Sequence, residues 1–222
     1  MLGPLRHGTT ADAVESALFA AICDGSLQPG APLRLQQLAS DLGVSMMPIR
    51  EAVRRLAAME LVELLPNRGA WVRDVSMEDL GATYEARLIL EPAAVRTGAA
   101  RFGPEDEKRA RSALESRARG LESGDLMETR HAHERFHFAI YEACGNPWVI
   151  RGILPMWRNA ERYRIGALSR PEILAQRGRE HEELLAAMLA HDGVKAERVL
   201  VQHIRGGLQM ATSKFGESPA KS

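Results

Sequence analysis

The sequence lacks the marks of several large protein classes. It has only two cysteines, Cys23 and Cys144, far apart, so no disulfide framework is predicted and the cytoplasm is the expected location. No apolar run approaches the ~20 residues that span a bilayer, so we expect no membrane partner. The 29 basic residues equal the 29 acidic ones, without the positive excess of many nucleic-acid-binding proteins. This zero net charge counts against nucleic-acid binding, so a DNA-binding function would have to rest on a local cluster of basic residues.

What the first 75 residues do contain is a series of short helical patterns followed by a hairpin signal. Residues 10–24 and 35–42 show helical apolar spacing, and the second pattern stops at Gly43. Ser45 is positioned to cap a third helix. Two short β-like runs then flank the turn sequence at 66–69. Three helices, a tight turn and a hairpin predict a winged helix-turn-helix.

In such a fold, the second helix of the turn enters the major groove of DNA. The side chains at the entrance and on the exposed side of that helix are Ser45, Met46, Met47, Arg50, Arg54 and Arg55. The alternative interpretation is a small helical domain whose arginines only form a solvated face.

From Ser76 onward every segment has a helical pattern, and no strand pattern or internal repeat appears. The predicted helices lie near 76–101, 104–122, 124–145, 147–168, 170–191 and 193–214. The fold class is therefore mainly α, with an N-terminal winged helix-turn-helix and a C-terminal all-α bundle. The predicted domains are 1–75 and 76–215, followed by a frayed tail at 216–222.

Four histidines fall on helix faces that should point into the bundle. His133 and His137 are four residues apart on one helix, and His181 and His203 lie on apolar stripes of the last two helices. Each buried imidazole needs polar partners, and one shared divalent metal would satisfy a nitrogen of all four. Separate structural histidines, each with its own partner, are the alternative.

The same stretch contains a literal H-E-x-x-H, from His133 through Glu134 to His137, which is the pattern of zinc metallopeptidases. A peptidase also needs a third ligand and a coordination position that holds water. Glu161 is suitably far along the chain but lies in a polar helix without a ligand signature. His181 and His203 are better third and fourth ligands, so we expect no enzyme.

Together these motifs resemble the GntR family of bacterial transcription regulators, in the FadR-like subgroup with an all-helical FCD effector domain. The similarity covers nearly the whole chain. It rests on "LQPGAPLRLQQLASDLGVSMMPIREAVRRLAAMELVELLPNRGAWV", "YEARLILEPAAV" and "RFHFAIYEACGN", and on His181 and His203. Two positions depart from the family pattern. His133 stands where an aspartate is usual, and Met46 stands where many members carry a base-reading arginine.

The resemblance implies a homodimer that binds pseudo-palindromic operator DNA, and we expect a repressor that senses a small carboxylate. By position, the DNA-contacting residues would be Arg34, Gln36, Ser45, Met46, Met47, Arg50, Arg54, Arg68 and Gly69. The methionines can make apolar contact, for example with a thymine methyl group. Arg87 would pair with the effector, or form a structural ion pair with Glu91. Four imidazoles favour zinc, with nickel as second candidate, and the metal is either sensory or purely structural.

Overall fold

The computed structural model describes residues 11–164 and 171–217, and these form two compact units. The first unit contains 11–83, 154–164 and 211–217, and the second contains 84–153 and 171–210. The domain boundary at residue 75 remains a prediction.

The N-terminal part of the first unit is the predicted winged helix-turn-helix. Its elements are α1 (Ala11–Asp24), β1 (Pro32–Leu33), α2 (Leu35–Leu42), α3 (Met46–Ala58), β2 (Val62–Leu65) and β3 (Gly69–Val72). The strands pair antiparallel in the order β1-β3-β2, with Leu33 opposite Ala70 and Val62 opposite Val72. The two-residue β1 was not predicted, because so short a run shows no alternation.

The turn between α2 and α3 depends on Gly43. Its φ of +66° is a left-handed conformation that glycine adopts without steric cost, and its N–H bonds the carbonyl of Ser40 at 3.2 Å. Ser45 holds the N-cap position of α3, as predicted, but its side chain makes no capping hydrogen bond. Ile49, Val53 and Leu56 are buried, which fixes the opposite side of α3 as its outer face.

The remaining described residues are mainly helical, as predicted. The elements are α4 (Met77–Gly98), a 3-10 turn (Ala99–Arg101), α5 (Pro104–Ser123), α6 (Leu126–Glu142), α7 (Pro147–Arg162), α8 (Pro171–Leu189) and α9 (Gly193–Glu217). The ends of two predicted segments, near 168 and 170, lie outside the described residues. So does most of the predicted tail, 218–222. None of the helices within the described ranges is long and apolar enough to cross a membrane.

Side chains define the starts of two helices in the second unit. Asp125 accepts a hydrogen bond of 2.9 Å from the Glu128 N–H and so caps α6. At α5, the Gly103 N–H donates to the Asp106 carboxylate at 3.0 Å. The Asp125 cap helps to fix the start of α6, which carries two of the candidate metal ligands.

Candidate metal centre and nucleic-acid interface

The structure brings the four predicted histidines into one buried cluster in the second unit. His133 and His137 come from α6, His181 from α8 and His203 from α9. All four are buried, with at most 5% of any of these residues exposed. One ligand nitrogen from each lies within 4.8 Å of all the others. The structure thus brings together the four histidines that were predicted to share one site, and their binding of a metal stays a prediction.

The distances within the cluster suit a metal ion. His137 Nε2 and His181 Nε2 are 3.1 Å apart, and the ring centroids of His181 and His203 are 4.7 Å apart. A tetrahedral zinc ion about 2.1 Å from each nitrogen holds its ligands roughly 3.4 Å from one another. The His137–His181 pair is already near that separation, and the other pairs, all within 4.8 Å, need only a modest contraction.

A chain of hydrogen bonds orients His137. The Tyr141 hydroxyl donates to Glu91 Oε2 at 2.6 Å and lies 3.1 Å from His137 Nδ1. Because the hydroxyl proton is donated to Glu91, the Tyr141 oxygen accepts a hydrogen bond from Nδ1–H of the imidazole. The Nε2 lone pair of His137 is therefore left to face the cluster. Arg87 completes the chain, donating to Glu91 at 2.5 and 3.2 Å.

A second chain orients His203. Its Nδ1 lies 2.7 Å from Glu180 Oε2, and a carboxylate can only accept there, so the proton is on Nδ1. Arg177 donates to the same carboxylate oxygen at 3.0 Å and to the His203 carbonyl at 2.7 Å. A carboxylate behind a ligand histidine is the usual support of metal sites, because it fixes the ring and its tautomer.

Burial keeps His137 in its ligand form. Desolvation, followed by the charges of His181, His203 and nearby arginines, holds the pKa of His137 well below its usual value. Burial and the adjacent Glu91 raise the pKa of Tyr141 well above its usual value, so this hydroxyl remains a donor. A neutral imidazole with a free lone pair is the form that binds a divalent metal.

Only some residues of the H-E-x-x-H motif belong to the histidine cluster. Its two histidines belong to the cluster, but Glu134 is not a member. Glu161 forms an ion pair with Arg164 and is not in the cluster either. The donor set is four imidazoles, which suits zinc, nickel or copper better than magnesium or calcium.

Arg87 is buried and bound to Glu91, so the structure contains the ion pair that the four-residue spacing allowed. Burial alone would lower the pKa of Arg87, but the nearby Glu91, Tyr84 and Tyr141 together outweigh it and the pKa is raised. The guanidinium thus stays charged three hydrogen-bonding steps from His137, through Glu91 and Tyr141.

The predicted DNA-contacting residues lie on the surface of the winged helix-turn-helix. Those exposed on α2, before and along α3, and at the wing tip are Arg34, Gln36, Ser45, Met47, Arg50, Arg54, Arg68 and Gly69. Met46 differs, because it is half-buried and packs against the hydrophobic core.

The arginines of α3 differ in their partners. Arg54 pairs with Glu51 at 2.8 Å, and Arg55 pairs with Glu51 and with Asp12 of α1. Arg50 is exposed and has no ion pair or side-chain hydrogen bond to any described residue. At the wing tip, the Arg68 guanidinium lies 5.8 Å from the ring centre of Trp71. Arg50 is therefore the most available of the α3 cations.

The residues that hold the candidate ligands in place, Glu180, Arg177 and Tyr141, were not predicted from the sequence. Tyr141 follows His137 by four residues, and this spacing could have predicted that the two side chains meet on one face of the helix. Glu180 reaches from α8 to a histidine of α9, and no spacing within one helix predicts such a contact.

Comparison with known proteins extends over both units. The family described as "Bacterial regulatory proteins, gntR family" matches residues 10–72, and the FCD domain matches residues 82–206. The chain is 31% identical to the HTH-type transcriptional repressor GlaR of Escherichia coli over 191 residues, covering 82% of this chain and 87% of that protein. It is 30% identical to the "Probable D-xylose utilization operon transcriptional repressor" of Paenarthrobacter nicotinovorans, covering 96% and 93%.

A solved structure agrees with these sequence similarities. McbR/YncC of E. coli is 26% identical, with a TM-score of 0.79, and the alignment covers 94% of this chain and 99% of that one.

Proposed function

We propose that this chain, which belongs to the GntR family of bacterial transcription regulators and carries an FCD domain, is a repressor that senses a small carboxylate at a bound metal ion. It is a DNA-binding transcription regulator, and relatives across most of its length are named repressors. The observation that carries the sensing proposal is the convergence of four buried imidazoles, two of them held by carboxylate-ended hydrogen-bond chains.

Membership in this family confirms the expectation that the chain is not an enzyme. The H-E-x-x-H of α6 is half of a histidine cluster and not a peptidase motif. Because a bacterial regulator must reach its operator on the chromosome, we propose that the protein is located in the cytoplasm.

The proposed DNA interface consists of the exposed residues of α2, α3 and the wing. Arg50 would contact a base or phosphate in the major groove, with Arg34, Gln36 and Arg54 near the backbone. Arg68 and Gly69 at the wing tip would lie at the minor groove. Ser45, Met46 and Met47 stand at the start of the recognition helix. We propose that the protein is a homodimer and that the winged helix-turn-helix of each copy binds one half of a pseudo-palindromic operator.

We propose zinc as the metal, with nickel second, held by His133, His137, His181 and His203. The metal would act as a Lewis acid that attracts a carboxylate. Four imidazoles already fill a tetrahedral shell, so an effector oxygen has to enter as a fifth ligand, which zinc accepts and nickel accommodates readily. Arg87 would meet the effector's carboxylate, sharing or replacing its present partner Glu91.

The closed shell also supports a second candidate function, in which the metal is purely structural. A four-histidine zinc site without an open position contributes to folding and binds no small molecule. In that case removing a ligand, as in His203→Ala, lowers the melting temperature but leaves any ligand response unchanged.

The test is a titration of the full chain onto DNA from upstream of its own gene. Anisotropy is recorded at two salt concentrations with excess competitor DNA, using zinc-loaded and chelator-stripped protein. We expect competitor-resistant binding that weakens by roughly 10³-fold or more between 50 and 200 mM salt. We then expect one member of a panel of mono-, di- and tricarboxylates to change operator affinity of the zinc-loaded protein only.

The controls separate the two candidates. An operator affinity that no carboxylate changes, combined with a lower melting temperature for His203→Ala, would support the structural metal. For Arg87, the matched variant is Arg87→Ala with Glu91→Gln, so that no buried charge loses its partner. Unchanged effector affinity in that double variant removes Arg87 from the proposal.

A further inference from the structure

The proposed recognition helix, α3, carries one large apolar side chain that is not packed in the hydrophobic core. Met47 is the second residue of α3 and is 70% exposed, the largest exposure among the large hydrophobic residues of the described first unit. Met46 beside it is half-buried and packs on the core. The two methionines, which have equivalent places in the sequence pattern, therefore differ in the structure. Met46 packs on the hydrophobic core, and Met47 is exposed to solvent.

Met47 shares its face with the most available cation of α3. Positions 47, 50 and 54 follow one another at helical spacing, opposite the buried Ile49 and Val53. Among these, Arg54 is engaged by Glu51. The outer face of α3 therefore presents the Met47 thioether together with the Arg50 guanidinium, which has no ion pair with a described residue, in the first half of the proposed recognition helix.

The chemistry of a thioether limits what Met47 can recognise. Methionine sulfur cannot donate a hydrogen bond and accepts only weakly, so it does not read the polar edges of guanine, cytosine or adenine. The major groove offers one apolar group, the C5 methyl of thymine. An unbranched, flexible side chain can adapt to that methyl group and remove it from water.

We propose that Met47 packs on the C5 methyl of a thymine in each operator half-site, next to the position that Arg50 contacts. This rests on the proposed DNA interface, and it adds a base identity and the atom by which that base is chosen.

The experiment uses duplexes that differ by single methyl groups. The zinc-loaded full chain first selects its operator from upstream DNA. Each thymine of the bound half-site is then replaced by deoxyuridine, which removes only the C5 methyl group. Burial of one methyl corresponds to about a fourfold change in affinity, so replacement in both half-sites should cost about 15-fold at one symmetric position.

Two variants make the assignment specific. Met47→Ala should bind the unmodified operator more weakly and should show no further loss with deoxyuridine at that position. Met77→Ala, which truncates another exposed methionine of the same unit, should keep the full sensitivity to the methyl group.

The outcomes separate this inference from the function on which it rests. Absence of any site-specific binding overturns the proposed DNA interface itself. Operator binding that no deoxyuridine replacement weakens more than twofold overturns the role of Met47. So does a methyl dependence that persists in Met47→Ala.

Discussion

Two of the four histidines are each backed by a carboxylate that is in turn held by an arginine. His137 reaches Glu91 through Tyr141, and His203 contacts Glu180 directly. Each chain fixes the proton on Nδ1 and turns Nε2 towards the cluster. Ring orientation and tautomer are thereby set without a metal, which would lower the entropic cost of binding one.

We expect Glu180→Gln to weaken zinc binding by roughly 10- to 100-fold, because the His203 ring loses its charged acceptor. Competition with a chromophoric chelator measures the dissociation constant. Glu183→Gln is the matched control, since Glu183 is exposed on the same helix. Equal affinity in the two variants would mean that Glu180 does not support the ligand.

The residue scale shows what sequence can and cannot predict about the site. The four histidines were predicted because each lies on an apolar helical stripe, and the Arg87–Glu91 pair because its members are one turn apart. The Glu180–His203 contact joins α8 to α9. Its geometry depends on how those helices pack, and periodicity within one helix carries no information about that.

At the scale of elements, close packing at the end of α4 depends on a glycine. A Cβ added to Gly98 would lie 2.9 Å from the backbone N of Cys144 and 3.1 Å from the carbonyl carbon of Ala143. Both are main-chain atoms, which cannot rotate away. For Gly81, on the same helix, no described atom other than those of its chain neighbours and its own helix backbone lies within 4 Å of such a Cβ.

Alanine at these two positions should therefore have opposite effects on stability. Gly98→Ala should lower the free energy of unfolding by about 1–3 kcal/mol through overpacking. Gly81→Ala should raise it by about 0.5–1 kcal/mol, because alanine favours the helix. Urea unfolding followed by circular dichroism gives both values. A stabilising Gly98→Ala would show that α4 and the turn after α6 do not approach so closely.

Helix existence was predictable along the chain, and helix ends were less so. The segment predicted to run to 145 ends at Glu142, because the chain turns there and Gly145 takes a φ of +68°. The strand β1 was missed because two residues carry no pattern. The end of α6 is decided by a local turn at a glycine, whereas β1 is decided by its pairing with β3, which is distant in sequence.

At the scale of the whole molecule, the second unit has an apolar face that suits a second copy of the chain. Ile89 of α4 is 65% exposed and Trp148 of α7 is 75% exposed. Each is next in sequence to a residue that lines a groove of about 580 Å³, formed by Leu90, Ala93 and Val149, among others. A twofold interface requires that one patch fit itself, and this face has both projecting side chains and a recess to receive them.

We therefore expect the protein to be a dimer through this face, and Trp148→Glu to make it monomeric in sedimentation velocity at micromolar concentration. A buried charge opposite its own copy is repelled and desolvated, which an interface of this kind does not tolerate. Val194→Glu is the control, because Val194 is 65% exposed in the same unit but does not line the groove. A monomeric variant should also lose operator affinity, since one reading head contacts only half of the site. If Trp148→Glu remains dimeric, the two heads are joined through another surface, and the groove beside Ile89 has a different occupant.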